Sequence, residues 1–317
     1  MATHPVFRAY RDGDEAAILR LLEGESAAAC ALDEWSWLFP PEEHGRQIVV
    51  GEQEGEVVAV CAGRPIRVQM HEREWAAIEL HHVVPADDDD GTSVVDAFLE
   101  IFGSDDRLTL VLATHVGDAL AQSGFVTSGP QRISVLVREE PAPAPLARLL
   151  YRAEPARDWE PRLDELWRRA RRSYPSAVIR DADHVARRFT GHPSIRHHRF
   201  LVCPRLSSEA VALAVFTLEG DRLRWVDLVW DHDHPRALST LAFLSGRLAG
   251  QLGAKGEELW LGGDDEAISR LKKMRFSRAE LSAPPYVAAR SLVPELDAEE
   301  FLRRAYLTLA GTGGPPR

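Results

Sequence analysis

The run of residues 75–102, WAAIELHHVVPADDDDGTSVVDAFLEIF, constrains the fold more than any other segment of the chain. Its apolar, partly β-branched beginning stops at Pro85, which predicts a buried strand that ends there. Four aspartates at 87–90 and Gly91 follow as a loop, and the apolar spacing over 92–102 predicts a helix. A strand that leads through a short loop into a helix is typical of layered α/β structures.

The order of predicted elements occurs twice along the chain, with a Pro- and Ala-rich segment between the two halves. We predict an N-terminal domain over residues 1–140, a linker over 141–157, and a C-terminal domain over 158–317 with a mobile tail. The last strand of each domain is predicted at 131–139 and at 285–293. The predicted fold class is α/β (α+β), with two tandem domains that each contain a mixed, mostly antiparallel sheet flanked by helices.

Composition excludes several classes of function. The net charge of −11 argues against nucleic-acid binding, because phosphate neutralisation needs clustered Lys and Arg. No signal peptide and no apolar run long enough to span a membrane is present. The three cysteines, Cys30, Cys61 and Cys203, are far apart and lack C-x-x-C spacing, as expected in a reducing compartment. We therefore expect a cytoplasmic protein, either a monomer or a homodimer, without nucleic-acid or membrane partners.

Three segments resemble motifs of the Gcn5-related N-acetyltransferases (GNAT). HHVVPADDDDGTSVVDAFL resembles the acyl-CoA motif, in which a strand ending in V-x-P leads into a [RQ]-x-x-G-x-[GA] loop. VGDALAQSGFV is similar to the family's end motif. DEWSWLFPP is similar to the E-W-x-W segment of a tandem GNAT group whose members end in Y-x-T-L, here residues 306–309. Taken in their order along the chain, these motifs identify the chain as similar to a tandem GNAT protein.

The resemblance implies a site for acetyl-CoA or another acyl-CoA as co-substrate, and no metal. Val83 and Val84 lie where the family's strand exposes backbone groups to the pantetheine amides. Gly91, Thr92 and Ser93 lie where backbone N–H groups at a helix N-terminus face the pyrophosphate.

The loop departs from the family pattern in charge. The position that is basic in the family is Asp88, and it lies within the run of four acids. Like charges about 6 Å apart repel by roughly 1–3 kcal/mol, whereas a helix N-terminus attracts an anion by about 1 kcal/mol. The acids thus oppose CoA binding unless they point to solvent, and the alternative interpretation is an acidic cap on the following helix. The family's end-motif Tyr, a candidate acid, is Leu120 here.

The predicted strand before Pro85 supplies the candidate catalytic residues. By strand alternation, Glu79, His81 and Val83 share one face, and Leu80 and His82 share the other. A carboxylate or imidazole on this strand can take the proton of an amine, so Glu79 and His81 are the candidates for general base or proton relay. A hydrogen-bonded pair without a catalytic role remains an alternative.

Metal binding is not favoured by the spacing of acids and histidines. Taking Gly91 as the sixth residue of an EF-hand loop puts Ala97 at the twelfth, where Glu is required. The residues 231–234, DHDH, lack zinc-type spacing and are better explained as a polar loop. Asp227, in an apolar strand, is either a substrate-side acid or part of an exposed sheet face.

Three functions remain open from the sequence. The first is acyl transfer from acyl-CoA to an amine of a small molecule or peptide, by an N-acyltransferase of tandem GNAT type. The second is a catalytically inactive GNAT-like protein that binds a ligand or partner and has lost CoA binding. The third is an enzyme of this fold with a different acyl donor, such as an acyl carrier protein.

Overall fold

A computed structural model describes residues 4–25, 32–40, 45–87, 89–103, 109–114, 119–128, 132–141, 146–280 and 287–312. Asp88, Cys30 and residues 313–317 of the predicted mobile tail (310–317) lie outside these ranges. The described part of the chain forms two compact units. Unit 1 takes the described residues of 1–129 and 285–303, and unit 2 takes those of 130–284 and 304–314.

Unit 1 contains a mixed sheet with helices against it. Its elements are β1 (Val6–Ala9), α1 (Glu15–Glu25), α2 (Leu32–Leu38), β2 (Ile48–Gln53), β3 (Glu56–Met70), β4 (Arg73–Val84), α3 (Thr92–Phe102), β5 (Leu110–Thr114), α4 (Ala119–Gln122), β6 (Val126–Thr127), β15 (Val287–Ser291) and α9 (Ala298–Arg304). Strands β1 to β4 pair antiparallel, β4 and β5 pair parallel, and β15 pairs antiparallel with β5 and β6. The predicted helix over 92–102 is confirmed as α3.

Two apolar clusters cover the two faces of the unit 1 sheet. One lies under α3, whose Val94, Val95 and Phe98 pack on Ile78 and Leu80 of β4. The other lies under α1 and α2 and includes Ile18 and Trp35, which are fully buried. Opposite faces of β4 therefore face different helices.

Unit 2 repeats the arrangement. Its elements are β7 (Ser134–Arg138), β8 (Tyr151–Pro155), α5 (Arg162–Ala170), β9 (Ser176–Val178), α6 (Ala182–Phe189), β10 (His198–Pro204), β11 (Ala212–Glu219), β12 (Arg222–Trp230), α7 (Ala237–Leu252), β13 (Gly256–Gly262), α8 (Asp265–Lys273), β14 (Ser277–Ala279) and β16 (Ala305–Thr308). Strands β8, β10, β11 and β12 pair antiparallel, and β12 pairs parallel with β13. Short 3-10 turns occupy Leu146–Leu149, Arg171–Ser173 and Leu309–Thr312. The predicted fold class, mixed α/β with two repeated arrangements, is confirmed.

The compact units differ from the domains predicted from the sequence, because each half contributes one strand to the unit formed mainly by the other half. Strand β7 comes from the first half, but it pairs antiparallel with β13 and β14 in unit 2. Strand β15 comes from the second half and lies between β5 and β6 in unit 1. Apolar alternation predicts that a segment is a strand but not which partner it takes, and an exchanged strand satisfies the same ladder.

A buried ion pair specifies the place of β7. Arg138 is 2% exposed, and its guanidinium binds the Glu257 carboxylate of β13, with an Nε–Oε1 distance of 3.0 Å. The second Glu257 oxygen accepts a hydrogen bond from Trp225 Nε1 at 3.1 Å. A buried charge needs its counter-ion, so this pair fixes both the partner and the register of the exchanged strand.

The segment predicted as a linker over 141–157 contains regular structure among its described residues. It contains the 3-10 turn Leu146–Leu149 and strand β8, which pairs with β10. Across the residues that the structure describes, no helix combines the length and the apolarity needed to cross a membrane.

Candidate functional site

The candidate site lies in unit 1, where β4 extends past its parallel partner. Residues Ala77–Leu80 of β4 pair with Leu110–Ala113 of β5. Beyond Leu80, the residues His82–Val84 pair only with β3 among the described strands of unit 1, and His81 has no partner in the register. Among the strands that the structure describes in unit 1, none pairs with the other edge of this stretch, and an unpaired edge offers N–H and C=O groups to an extended ligand. The predicted cofactor residues Val83 and Val84 lie in this stretch.

A β-bulge in the pairing of β3 with β4 lies at the point where β4 extends past β5. Ala62 of β3 is opposite His82, but the next residue, Gly63, is opposite Leu80, so His81 is the extra residue. The glycine is required here, because a Cβ at Gly63 would lie 2.4 Å from Ile78 Cγ2. A bulge in β4 bends the strand and shifts the alternation of its side chains by one residue.

The bulge corrects the predicted faces of β4. Leu80 and Val83 lie on the α3 side, whereas His82 contacts Trp35 on the opposite side, under α1 and α2. The expectation that Val83 shares a face with Glu79, and His82 with Leu80, was therefore wrong. Its physical reason is that period-two alternation holds only while each residue has one partner, which the bulge interrupts.

Glu79 lies between an arginine and a histidine. Its side chain is only 5% exposed, and Oε2 accepts a hydrogen bond from Arg64 Nη2 at 2.8 Å. Arg64 is the residue directly opposite Glu79 on β3. On the other side, His81 Nε2 lies 3.8 Å from the same Oε2. A carboxylate held in this way can orient the imidazole and stabilise its protonated form.

His82, the residue after the bulge, is a neutral imidazole in an aromatic environment. Its ring stacks with Trp35 at a centroid distance of 6.2 Å and lies 6.0 Å from Phe39. Burial lowers the pKa of His82 to about 4. Its Nε2 is buried and has no hydrogen-bond partner within the described ranges.

The acidic loop folds back on the first turn of α3. Gly91 has φ of 93°, a left-handed conformation that favours glycine. Asp89 Oδ1 accepts from the Gly91 N–H at 3.2 Å, and Asp90 Oδ1 accepts from the Thr92 N–H at 2.9 Å. The two carboxylates therefore occupy two of the three N–H groups expected to face a pyrophosphate, whereas Ser93 is exposed.

The second oxygen of Asp90 is also bound. Asp90 Oδ2 accepts a hydrogen bond from Gln122 Nε2 at 2.7 Å, which ties the loop to α4. Contacts with Thr92, at its side chain and then at its backbone N–H, hold the pKa of Asp90 below its ordinary value. Asp89 and Asp90 thus bind the N–H groups of Gly91, the N-cap residue, and of Thr92, the first residue of α3, without a side-chain capping bond further into the helix. Asp88, the residue at the family's basic position, lies outside the described residues.

Unit 2 contains a similar bulge with a different outcome. Strand β12 pairs with β13 as far as Trp225–Leu259, and a register shift against β11 leaves Val226 as the extra residue. The next residue, Asp227, is fully buried. Its Oδ1 accepts from Arg180 Nε at 2.9 Å and from Thr308 Oγ1 at 2.7 Å. Asp227 is therefore part of a buried network and not of an exposed sheet face.

The polar loop after β12 has partners within unit 2. Asp231 is paired with Arg169, with an Oδ2–Nε distance of 2.9 Å. His232 stacks on Trp230 at 4.1 Å, and its Nε2 lies 3.3 Å from Asp264 Oδ2. Among the described residues, no three His, Cys, Asp or Glu side chains are grouped in a way that could hold a metal ion.

Sequence reasoning missed Arg64, His82 and the aromatic side chains of Trp35 and Phe39. Two sequence signals could have indicated Arg64 and the bulge next to it. Arg64 is a charged residue in a long apolar strand, which indicates a buried partner. Gly63, in the interior of the same strand, is the kind of residue that accompanies a bulge or a close approach.

Comparison with known proteins gives matches at the level of structure alone. No protein-family model matches the sequence, and no curated protein matches it. A GCN5-related N-acetyltransferase from Anabaena variabilis matches 91% of this chain and 73% of its own, with a TM-score of 0.70 and 12% identity. One from Kribbella flavida matches 90% and 71%, with a TM-score of 0.67 and 14% identity.

A third similar structure is the N-myristoyltransferase of Saccharomyces cerevisiae with bound myristoyl-CoA. It matches 96% of this chain and 88% of its own, with a TM-score of 0.60 and 11% identity. Similarity at such identities establishes the fold and not the activity. The chain therefore has the fold of the GCN5-related N-acetyltransferases and of N-myristoyltransferase over nearly its whole length.

Proposed function

We propose that unit 1 transfers an acyl group from acetyl-CoA or another acyl-CoA to an amine of a small molecule or peptide. One observation carries this proposal, namely the bulged end of β4 that leaves its β5 partner after Leu80. There the strand offers an unpaired edge at residues 81–84 beside the Glu79 and His81 side chains. A donor along the edge and a base beside it are the two requirements of this reaction.

In the proposed reaction, His81 acts as the base and Glu79 positions it. The amine nitrogen attacks the thioester carbonyl carbon, an N–C bond forms, and the C–S bond breaks to release CoA thiolate. The imidazole of His81 takes the proton that the amine loses. Glu79 is the weaker candidate for this step because Arg64 already binds its Oε2. The Arg64–Glu79 pair instead holds the imidazole in place.

The donor is proposed to lie along the free edge of β4. Val83 and Val84 would supply backbone groups to the pantetheine amides. The N–H groups of Gly91, Thr92 and Ser93, at the N-terminus of α3, would face the pyrophosphate. For this, the carboxylates of Asp89 and Asp90 must leave the Gly91 and Thr92 N–H groups.

The same loop contacts favour a second candidate function, a catalytically inactive protein of this fold that binds another ligand or a partner. The Gly91 and Thr92 N–H groups, which a phosphate would need, already donate to the carboxylates of Asp89 and Asp90. They also place negative charge where a dianion would bind, and like charges about 6 Å apart repel by roughly 1–3 kcal/mol.

Calorimetric titration with acetyl-CoA separates these functions. We expect the wild-type protein to bind, and the double variant Asp89→Asn, Asp90→Asn to bind about tenfold more tightly, since about 1.4 kcal/mol of repulsion is removed. The matched control is Asp96→Asn. Asp96 is exposed on α3, the helix that follows the loop, so its substitution is expected to leave affinity unchanged. If neither the wild type nor the double variant binds at millimolar acetyl-CoA, the transferase proposal fails and the second function stands.

Turnover tests the catalytic residues. With acetyl-CoA and a panel of small primary amines and peptides, we expect His81→Ala to lower kcat about 100-fold, as loss of a general base does. Glu79→Gln is expected to lower kcat about tenfold without a change in acetyl-CoA affinity. The control is His71→Asn, a half-exposed histidine in the turn before β4. Full activity of His81→Ala would exclude His81 as the base.

A further inference from the structure

The place in unit 2 that corresponds to the free edge of β4 is filled by the chain itself. Both edges of strand β13 are paired at Leu261, which lies opposite Ser134 of β7 on one edge and opposite Thr308 of β16 on the other. Strand β12 pairs with β13 only as far as Leu259. Strand β16 therefore continues along the edge of β13 from the point where β12 leaves it.

Two tyrosine hydroxyls bind the main chain of β12 beyond its bulge. Tyr306 of β16 donates to the Leu228 carbonyl oxygen at 2.6 Å. Tyr174 donates to the Trp230 carbonyl oxygen at 3.2 Å and accepts from the Trp230 N–H at 3.4 Å. The two rings stack at a centroid distance of 4.1 Å, and both residues are buried. Backbone groups that an extended ligand would use are thus already satisfied.

Strand β16 is seated in close contact and locked by a buried network. A Cβ at Gly263, which has φ of 76°, would lie 2.3 Å from the Ala305 carbonyl oxygen, so only glycine admits β16 at this distance. Thr308 donates to Asp227, and Arg180 Nη2 donates to Thr308 Oγ1 at 3.2 Å. A ligand that displaced β16 would leave the buried Asp227 and Arg180 without one of their partners, which is costly.

We infer that β16 is a built-in occupant of the unit 2 cleft, so unit 2 has no acyl-CoA site and the chain binds at most one acyl-CoA, in unit 1. The second unit then serves the protein through its packing and not through donor binding. The part of this inference that concerns stoichiometry rests on the proposed function, whereas the seating of β16 does not.

Hydrogen exchange of the ligand-free protein tests the seating. The amides of 305–308 and of 228–230 are expected to exchange as slowly as those of β13. In Tyr306→Phe, which keeps the ring and removes one hydrogen bond, exchange at 305–308 should rise about two- to tenfold. The control is Tyr151→Phe, which removes a hydroxyl bound to His234 in the same unit and should leave 305–308 unchanged. Exchange of 305–308 at the rate of an unstructured chain, or equal behaviour of the two variants, would overturn the inference.

Addition of millimolar acetyl-CoA tests the stoichiometry. We expect protection of amides at 81–84 and no change at 226–230 or 305–308, with no more than one equivalent bound. Two equivalents per chain, or ligand-dependent protection at 226–230, would overturn the inference. If no acetyl-CoA binds at all, the proposed function fails, while slow ligand-free exchange at 305–308 still supports β16 as the occupant.

Discussion

Strand β4 of unit 1 and strand β12 of unit 2 each contain a bulge one residue after their last pair with a parallel neighbour. In both strands the residue after the bulge is polar and buried or nearly so. In unit 2 it is Asp227, whose carboxylate accepts from Arg180, Thr308 and the Leu228 N–H. In unit 1 it is His82, whose buried Nε2 has no hydrogen-bond partner in the described part of the chain.

The difference shows that a β-bulge at the same place in the sheet is followed by an unsatisfied side chain in one unit and by a satisfied one in the other. A buried polar group without a partner costs about 1–3 kcal/mol, and natural proteins tolerate such costs mainly at functional sites. At the residue after the bulge, unit 2 avoids the cost because β16 and Arg180 complete the network around Asp227. Unit 1 bears it at His82, next to the free edge of β4. At this one position, therefore, the polar group is unsatisfied in unit 1 and satisfied in unit 2, as expected if unit 1 holds the proposed site.

The largest expected loss of stability follows from removing the Asp227 carboxylate in unit 2. Asp227→Ala is expected to lower the free energy of unfolding by about 3–5 kcal/mol, because Arg180 is left as an unpaired buried charge. Urea unfolding monitored by tryptophan fluorescence measures this loss. The control is Asp221→Ala, since Asp221 is exposed and pairs with Lys255 at the surface. A loss below about 1 kcal/mol for Asp227→Ala would contradict the description of unit 2 as locked from within.

The next test concerns the seat of β16. Gly263→Ala is expected to cost about 3 kcal/mol, the sum of left-handed backbone strain and a clash with the Ala305 carbonyl. Gly191 is the matched control, because it has φ of 67° but no described atom within 4 Å of the place that a Cβ would take. Gly191→Ala should therefore cost only the strain, about 1 kcal/mol. Equal losses of stability in the two variants would show that β16 is not packed against Gly263.

Stability should fall as the pH drops from 7 to 5, and His82 in unit 1 and His197 in unit 2 should contribute to the loss. Burial lowers the pKa of both His82 and His197 to about 4. Below about pH 6.5 the unfolded chain binds protons that the folded protein does not, so stability is lost from there down to about pH 4. At pH 5 each histidine should account for about 2 kcal/mol. Urea midpoints at pH 7 and pH 5 measure the loss, and a flat profile would contradict the neutral burial of both side chains.

The smallest expected change in stability follows from replacing His82, whose Nε2 has no hydrogen-bond partner among the described residues. His82→Phe replaces an imidazole without a partner at Nε2 by an apolar ring beside Trp35 and Phe39. We expect a gain of about 1 kcal/mol in unfolding free energy at pH 7 and loss of the unit 1 share of the pH dependence. If the variant is less stable than the wild type at pH 7, His82 is satisfied in the folded protein and the contrast with Asp227 disappears.

Much of the architecture was predictable because it depends on local pattern. The strand that ends at Pro85, the helix over 92–102 and the repeated order of elements follow from apolar periodicity and from Pro and Gly positions. The position of the acids against the N-terminus of α3 was also accessible, since negative side chains are favoured at that end of a helix. The candidate base pair Glu79 and His81 was found because both lie on the strand that precedes the loop.

Other features could not be predicted from local pattern. The bulge at His81 reverses the faces of the residues that follow, and one extra residue leaves no clear trace in an apolar alternation. The arginine that binds Glu79 is 15 positions away in the sequence and becomes a neighbour only through the β3–β4 register. For the same reason, the environment of His82 was assigned to the wrong side of the sheet.

The sequence by itself determined the elements, their repeated order and the charge of the loop before α3, because these depend on neighbours within a few residues. Only the tertiary structure decided which half receives β7 and which receives β15, and that β16 occupies the edge of β13. Those choices depend on long-range pairing, where a strand finds the partner that satisfies its buried polar groups, as Arg138 does with Glu257 and Thr308 with Asp227.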